Sequence, residues 1–88
     1  MAEVWIVYVL ESEMNGKRYS GMTQDIERRL LDHNSGNSKF TSAFIPWKLI
    51  YTEEAEGAEL ARKREKYFKS AAGRRFIDKM VDSQKTHR

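Results

Sequence analysis

The sequence predicts a mixed α/β domain of the α+β kind, and three observations point to it. The run Val4-Trp5-Ile6-Val7-Tyr8-Val9-Leu10 is β-branched and aromatic throughout, with apolar residues on both alternating sets, the pattern of a central strand covered on both faces. Asn15-Gly16 follows it closely, a strong hairpin signal. Further on, apolar residues recur at helical spacing. At 88 residues the chain has room for one modest core. We expect one domain over residues 1–82 and a disordered tail over 83–88.

Taken in order, the first strand covers Val4 to Leu10. A tight type I′ turn at Asn15-Gly16 requires positive φ at both positions, and Lys17 to Gly21 then returns antiparallel. In such a pair opposed residue numbers have a constant sum, which is odd for any loop of even length. Tyr8 and Tyr19 also sum to an odd number, so an even loop places them on one face of the sheet. A bulge or an odd loop would separate them. Thr23 is the expected N-cap of a first helix, with Asp25 and Glu27 at its positive end. This helix should run to about Asn34 and close on Gly36 in the left-handed conformation. Ile26, Leu30 and His33 form one stripe on it, with Arg29 at the edge and Arg28 pointing away.

Pro46 precedes a third strand, Trp47-Lys48-Leu49-Ile50-Tyr51-Thr52, and a short helix is expected over Phe40 to Phe44. A long helix follows from near Gly57 to about Ser70, with the inner stripe Ala58, Ala61, Glu65 and Phe68. Glu65 is the odd member, since burying a carboxylate among apolar side chains is costly without a compensating partner. A last helix, from about Ala71 to Val81, turns Phe76, Ile77 and Met80 inward. No repeat or low-complexity segment interrupts the chain.

Composition narrows the function classes. There is no cysteine, which excludes a disulfide framework, a thiolate metal site and a thiol nucleophile, and fits a cytoplasmic setting. No apolar stretch is long enough to span a bilayer, and Met1-Ala2-Glu3 lacks the basic-then-apolar start of a signal peptide. The net charge is +3, and from Arg62 onward the chain is rich in cations, including Lys63, Arg64, Lys66, Arg74, Arg75, Lys79, Lys85 and Arg88. Such a block favours a polyanionic partner, of which nucleic acid is the commonest. A pair of solvated helices would show the same charge.

Residues with chemical potential lie in a set order: Tyr8, Tyr19, Arg29, His33 and Glu65. Phenols can bind or relay a proton, a guanidinium can hold phosphate oxygens, and an imidazole stands one helical turn from it. Singly, each has a plainer use. The tyrosines could fill a core, His33 could cap or decorate a helix, and Arg29 could bridge Glu65.

Together, Tyr8, Tyr19-Ser20-Gly21, Arg29, His33 and Glu65 resemble the GIY-YIG nuclease domain, found in homing endonucleases, some restriction enzymes and the incision nuclease of bacterial nucleotide-excision repair. The resemblance extends from about Val4 to Met80. It is closest to small stand-alone bacterial members through Tyr19-Ser20-Gly21-Met22-Thr23, Glu27-Arg28-Arg29-Leu30, His33-Asn34-Ser35-Gly36 and Lys39-Phe40-Thr41. The chain departs from the family pattern at Ile6-Val7, which lacks the glycine, at Ser20 in place of isoleucine, and at Met22, where many members carry a lysine able to lower the tyrosine pKa.

The resemblance implies a three-stranded antiparallel sheet flanked by helices and hydrolysis of a DNA strand, in repair or recombination. It implies that Glu65 binds one Mg²⁺ (or Mn²⁺), a hard cation satisfied by one carboxylate, waters and a phosphate. Arg29 would neutralise charge on the phosphorus, Tyr8 would act as or position the base, and Tyr19 and His33 would hold water and phosphate in line. Lys39, Thr41, Arg62 and Lys69 are the residues expected on the nucleic acid. So small a domain offers few elements for reading base edges, so target choice would come from DNA structure or a protein partner. Two further outcomes stay open: a weak or inactive nucleic-acid-binding module of the same fold, and an inert interaction domain.

Overall fold

The computed structural model of the chain describes residues 3–37 and 39–86. Its elements are β1 (Val4–Ser12), β2 (Arg18–Thr23), α1 (Ile26–Asn34), a short 3₁₀ helix (Thr41–Phe44), β3 (Trp47–Glu56), α2 (Ala58–Lys69) and α3 (Ala71–Thr86). The three strands form one antiparallel sheet in the order β2-β1-β3. The expected α+β architecture is therefore present, with β1 central as its two-sided apolar pattern requires.

The hairpin differs from the expected one. Tyr8 opposes Gly21 and Leu10 opposes Tyr19, and Ser12 N donates to Lys17 O at 2.8 Å, so the connection is the longer Glu13–Gly16 rather than Asn15-Gly16 alone. Only Gly16 takes a positive φ, 78°. Asn15 instead accepts from Lys17 N through Oδ1 at 3.0 Å, a side-chain mimic of a turn. The turn is pinned by buried Ser12, whose hydroxyl accepts from Met14 N at 3.1 Å and donates to Phe44 O at 2.7 Å. The longer loop is still even, so Tyr8 and Tyr19 share a face.

β3 extends to Glu56, past the expected end at Thr52, and contains a bulge that its sequence does not announce. Val9 opposes Tyr51 but Leu10 opposes Leu49, leaving Ile50 as the extra residue. The bulge reverses the alternation. Trp47 and Leu49 join Tyr8 and Leu10 on one face, against Ile26, Leu30 and Phe44. Tyr51 and Ala55 join Val7 and Val9 on the other, against Ala61, Phe68 and Ile77. One strand thus feeds two cores, α1 covering the first and α2 with α3 the second.

Helix boundaries follow local chemistry. Asp25, not Thr23, caps α1: its carboxylate accepts from Arg28 N at 3.2 Å, while Thr23 Oγ1 accepts from Asp25 N at 3.1 Å as β2 ends. Gly36 is left-handed as expected, with φ 83°. Ala58 is exposed, not part of the inner stripe, because it lies in the first turn of α2 before that helix reaches the sheet. Met80 is likewise 36% exposed, whereas Ile77 is 1%. α3 passes Val81 and continues to Thr86, through the start of the stretch expected to be disordered. No Gly or Pro interrupts it there, and His87 and Arg88 lie outside the described residues. Arg64 docks α2 on β3, donating through Nη2 to Glu53 Oε1 at 3.0 Å while stacking on Tyr67 and Phe68. That pairing holds the Glu53 carboxyl below its usual range.

Candidate active site

The sheet face of Tyr8 is where four of the five expected residues meet. Tyr8 is 1% exposed and His33 is 0% exposed, and the Tyr8 hydroxyl lies 3.0 Å from His33 Nε2. The Tyr19 ring packs against both, with centroids 6.4 Å from Tyr8 and 5.0 Å from His33. Arg29, one turn before His33, acts on the same hydroxyl from the helix edge. These four side chains come from β1, β2 and α1, so their assembly requires the even hairpin and the helical stripe together.

Electrostatics sets their resting protonation. Burial pushes the Tyr8 phenol up, the Arg29 guanidinium pulls it down, and Tyr19 and Glu65 add smaller upward pushes. The balance is upward, so Tyr8 carries its proton at neutral pH. His33 is driven the other way: burial and the Arg29 charge lower its pKa, partly offset by Asp32. Its imidazole is therefore neutral at pH 7 and has one nitrogen free to accept a proton. Arg29 touches Asp32 only at 3.9 Å, too far for a hydrogen bond, and its side chain is 39% exposed, so it can reach a phosphate while it faces the Tyr8 hydroxyl.

Met22, where a lysine is common in the family it resembles, opposes Val7 and packs against the Val7–Phe68 core. It lies on the face away from Tyr8, and the cation that lowers the phenol pKa is Arg29.

Two residues have roles that sequence reasoning did not foresee. Gly21 sits beneath the Tyr8 ring, and a Cβ there would meet Tyr8 Oη at 2.5 Å and Cζ at 2.6 Å. The glycine after Tyr19-Ser20 is thus a steric requirement of the buried phenol, and its signal was its place in the motif. Thr41, expected on the nucleic acid, is 0% exposed; its Oγ1 lies 2.9 Å from His33 Nδ1. It is out of reach of a polyanion and completes the chain Thr41–His33–Tyr8. The 3₁₀ helix that carries Thr41 is fixed through Trp47, whose Nε1 donates to Thr41 O at 2.8 Å. Asn34 holds the end of α1 to β3, accepting from Trp47 N at 2.6 Å and donating to Trp47 O at 3.1 Å.

Glu65 approaches from α2, which packs on the opposite face of the sheet. It makes no hydrogen bond or ion pair with the other four among the described residues, although its charge reaches Tyr8. Its side chain is 18% exposed and its partner is Lys69 Nζ at 3.4 Å; the alternative Arg29–Glu65 bridge is not made. No group of three His, Asp or Glu side chains among the described residues could cage an ion. Glu65 is the carboxylate that could take a hard divalent ion, whose remaining ligands would come from water and phosphate. Lys39, Arg62 and Lys69 are all exposed, as a phosphate contact requires. No helix of the described residues is long and apolar enough to cross a membrane.

Comparison with known proteins agrees with this geometry. The family model of the GIY-YIG catalytic domain matches residues 4–77. A UPF0213 protein of Streptococcus agalactiae serotype V is 42% identical over 64 residues, 72% of each chain. A UPF0213 protein of Streptococcus pneumoniae serotype 4 is 48% identical over 67 residues, 68% of this chain and 67% of that one. Another from Bacillus cereus strain ATCC 10987 is 43% identical over 63 residues, 70% of this chain and 65% of that one. No solved structure matches significantly.

Proposed function

The chain belongs to the GIY-YIG family, and from that premise we propose that it is a divalent-metal-dependent endonuclease acting on DNA. The observation that carries this reading is the buried Tyr8–His33 hydrogen bond of 3.0 Å with Arg29 beside it. A core needs none of these polar groups at that point, and each has a use in phosphodiester hydrolysis.

Arg29 binds a non-bridging phosphate oxygen and neutralises the charge that builds on it in the transition state. The Tyr8 hydroxyl accepts the proton of the attacking water as its own proton passes to His33 Nε2. A buried phenol with a raised pKa is a poor base alone, and this relay avoids a free phenolate. It requires the His33 tautomer protonated at Nδ1, with Thr41 Oγ1 as acceptor. The imidazolium so formed is buried beside Arg29, which drives it to return the proton. Tyr19 limits the motion of both groups by packing on their rings. Glu65 would hold Mg²⁺ or Mn²⁺, which would polarise the phosphate and stabilise the leaving oxygen.

The test is incubation with branched, nicked, single-stranded and fully paired DNA, with Mg²⁺ or Mn²⁺ and then with EDTA. Metal-dependent cleavage lost in Glu65→Ala and Arg29→Ala is the expected result. Cleavage indifferent to both substitutions, or no cleavage of any substrate, would overturn the proposal. Salt-sensitive DNA binding with no cleavage would favour a binding module of the same fold.

A further inference from the structure

Outside the Tyr8–His33 cluster one aromatic side chain among the described residues is exposed beside several cations, of which Lys69 is paired with Glu65. Phe40 is 66% exposed and lines two adjoining grooves along the edge of β2. One, of about 300 Å³, is shared with Tyr19, Lys69 and Arg74; the other, of about 410 Å³, with Lys17 and Arg74. Among the described residues no carboxylate pairs with Lys17 or Arg74. The grooves meet at Phe40, and the first opens beside the candidate site, since the Tyr19 ring lies 6.0 Å from Phe40 and 5.0 Å from His33.

We propose that this cleft binds a single-stranded stretch of the nucleic acid, with an unpaired base stacked on Phe40 and Lys17, Lys69 and Arg74 on its phosphates. The inference rests on the reading of the chain as a DNA-cutting protein and names the substrate class of that site. A flat ring flanked by cations suits a base and its phosphates, because every base offers a π face and stacking is tolerant of sequence. In a duplex those faces are already covered by neighbouring bases, so Phe40 gains a partner only where a base is unpaired. Tyr19 adjoins both the site and the groove, so the unpaired base lies next to the phosphate held by Arg29. The favoured substrate is therefore DNA with a branch, flap or frayed segment beside the cut. Among the described residues Phe40 meets only the Tyr19 and Phe44 rings, and it is mostly solvated, so its removal leaves the fold intact.

The test is fluorescence anisotropy in EDTA with an oligonucleotide of about fifteen nucleotides, as single-stranded DNA, as the same sequence in RNA, and as duplex DNA. A 2-aminopurine base in the strand reports stacking directly. Phe40→Ala is expected to weaken single-strand binding about tenfold or more and to abolish the 2-aminopurine quenching. Duplex binding and the salt slope stay as in the wild type, and Phe40→Trp restores the loss. Lys17→Ala with Arg74→Ala should lower the single-strand salt slope by roughly 0.7 for each contact removed. Equal losses on DNA and RNA would make the cleft a general single-strand site, and a loss on DNA alone would make it specific for DNA; both support the proposal. Unchanged single-strand binding by Phe40→Ala, or an equal loss on duplex, would overturn it. The assay holds no metal and reads no cleavage, so a chain that does not cut can pass it and one that cuts can fail it.

Discussion

Replacing Gly21 with alanine tests the site at its tightest point. The new Cβ would lie 2.5 Å from Tyr8 Oη and 2.6 Å from Cζ, whereas carbon atoms settle at about 3.5–4.0 Å. The ring must recede by roughly 1 Å. Tyr8 is 1% exposed and tethered to His33, so it has nowhere to go without disturbing Leu10, Trp47 and the imidazole. Gly21 is not one of the positive-φ glycines, so its backbone accepts alanine, and a strand ordinarily tolerates that change. The whole cost is therefore steric, about 1–3 kcal/mol of overpacking. Urea unfolding would measure it in the wild type and in a Tyr8→Ala background, where the clash is absent. The expected coupling in that double-mutant cycle is about 1 kcal/mol or more. Cleavage should fall about a hundredfold in Gly21→Ala, since displacement of a reacting group by this much is costly. A cost below about 0.5 kcal/mol, or an equal cost in both backgrounds, would refute the steric reasoning.

His33 gives a pH dependence. Its folded pKa lies below the ordinary 6.5, so below that pH the unfolded chain binds more protons. Its contribution is fully present above pH 6.5 and is lost as the pH falls, by at most about 1.4 kcal/mol per unit. Unfolding at several pH values should show this slope, and His33→Gln should remove it. Thr41→Val keeps the shape but leaves His33 Nδ1 without a partner, at a cost of about 1–3 kcal/mol; Thr41→Ser should be milder, as urea unfolding would show. Gly73→Ala would drive a Cβ into Tyr67 O and the Phe68 backbone where α2 turns into α3. It should cost about 3 kcal/mol or more in the same assay, and a near-neutral result would mean that the corner opens freely.

Much of this was legible in the residues themselves. The β-branched, two-sided pattern of β1 made it central, the 3.6-residue stripe put His33 inward with Arg29 at its edge, and parity put the tyrosines on one face. These are properties of local period, and period is written in the sequence. The parity conclusion even survived a wrong turn, because the four residues of Glu13–Gly16 are as even as two. Loop chemistry was less legible: Ser12 and Thr23 act through hydroxyl contacts that depend on where the backbone goes next. The bulge at Ile50 was invisible, since Trp47, Leu49 and Tyr51 alternate whether or not the ladder slips.

From the sequence alone came the family, the order of the elements and the residue types that could do the chemistry. Tertiary structure alone decided which of them meet and in what state. Burial of Tyr8 and His33 sets their protonation, and Thr41 changes from a supposed DNA contact into the partner of a histidine. Gly21 becomes obligatory because a ring lies over it. Each of these depends on distance and desolvation between residues remote in the chain, which no local pattern encodes.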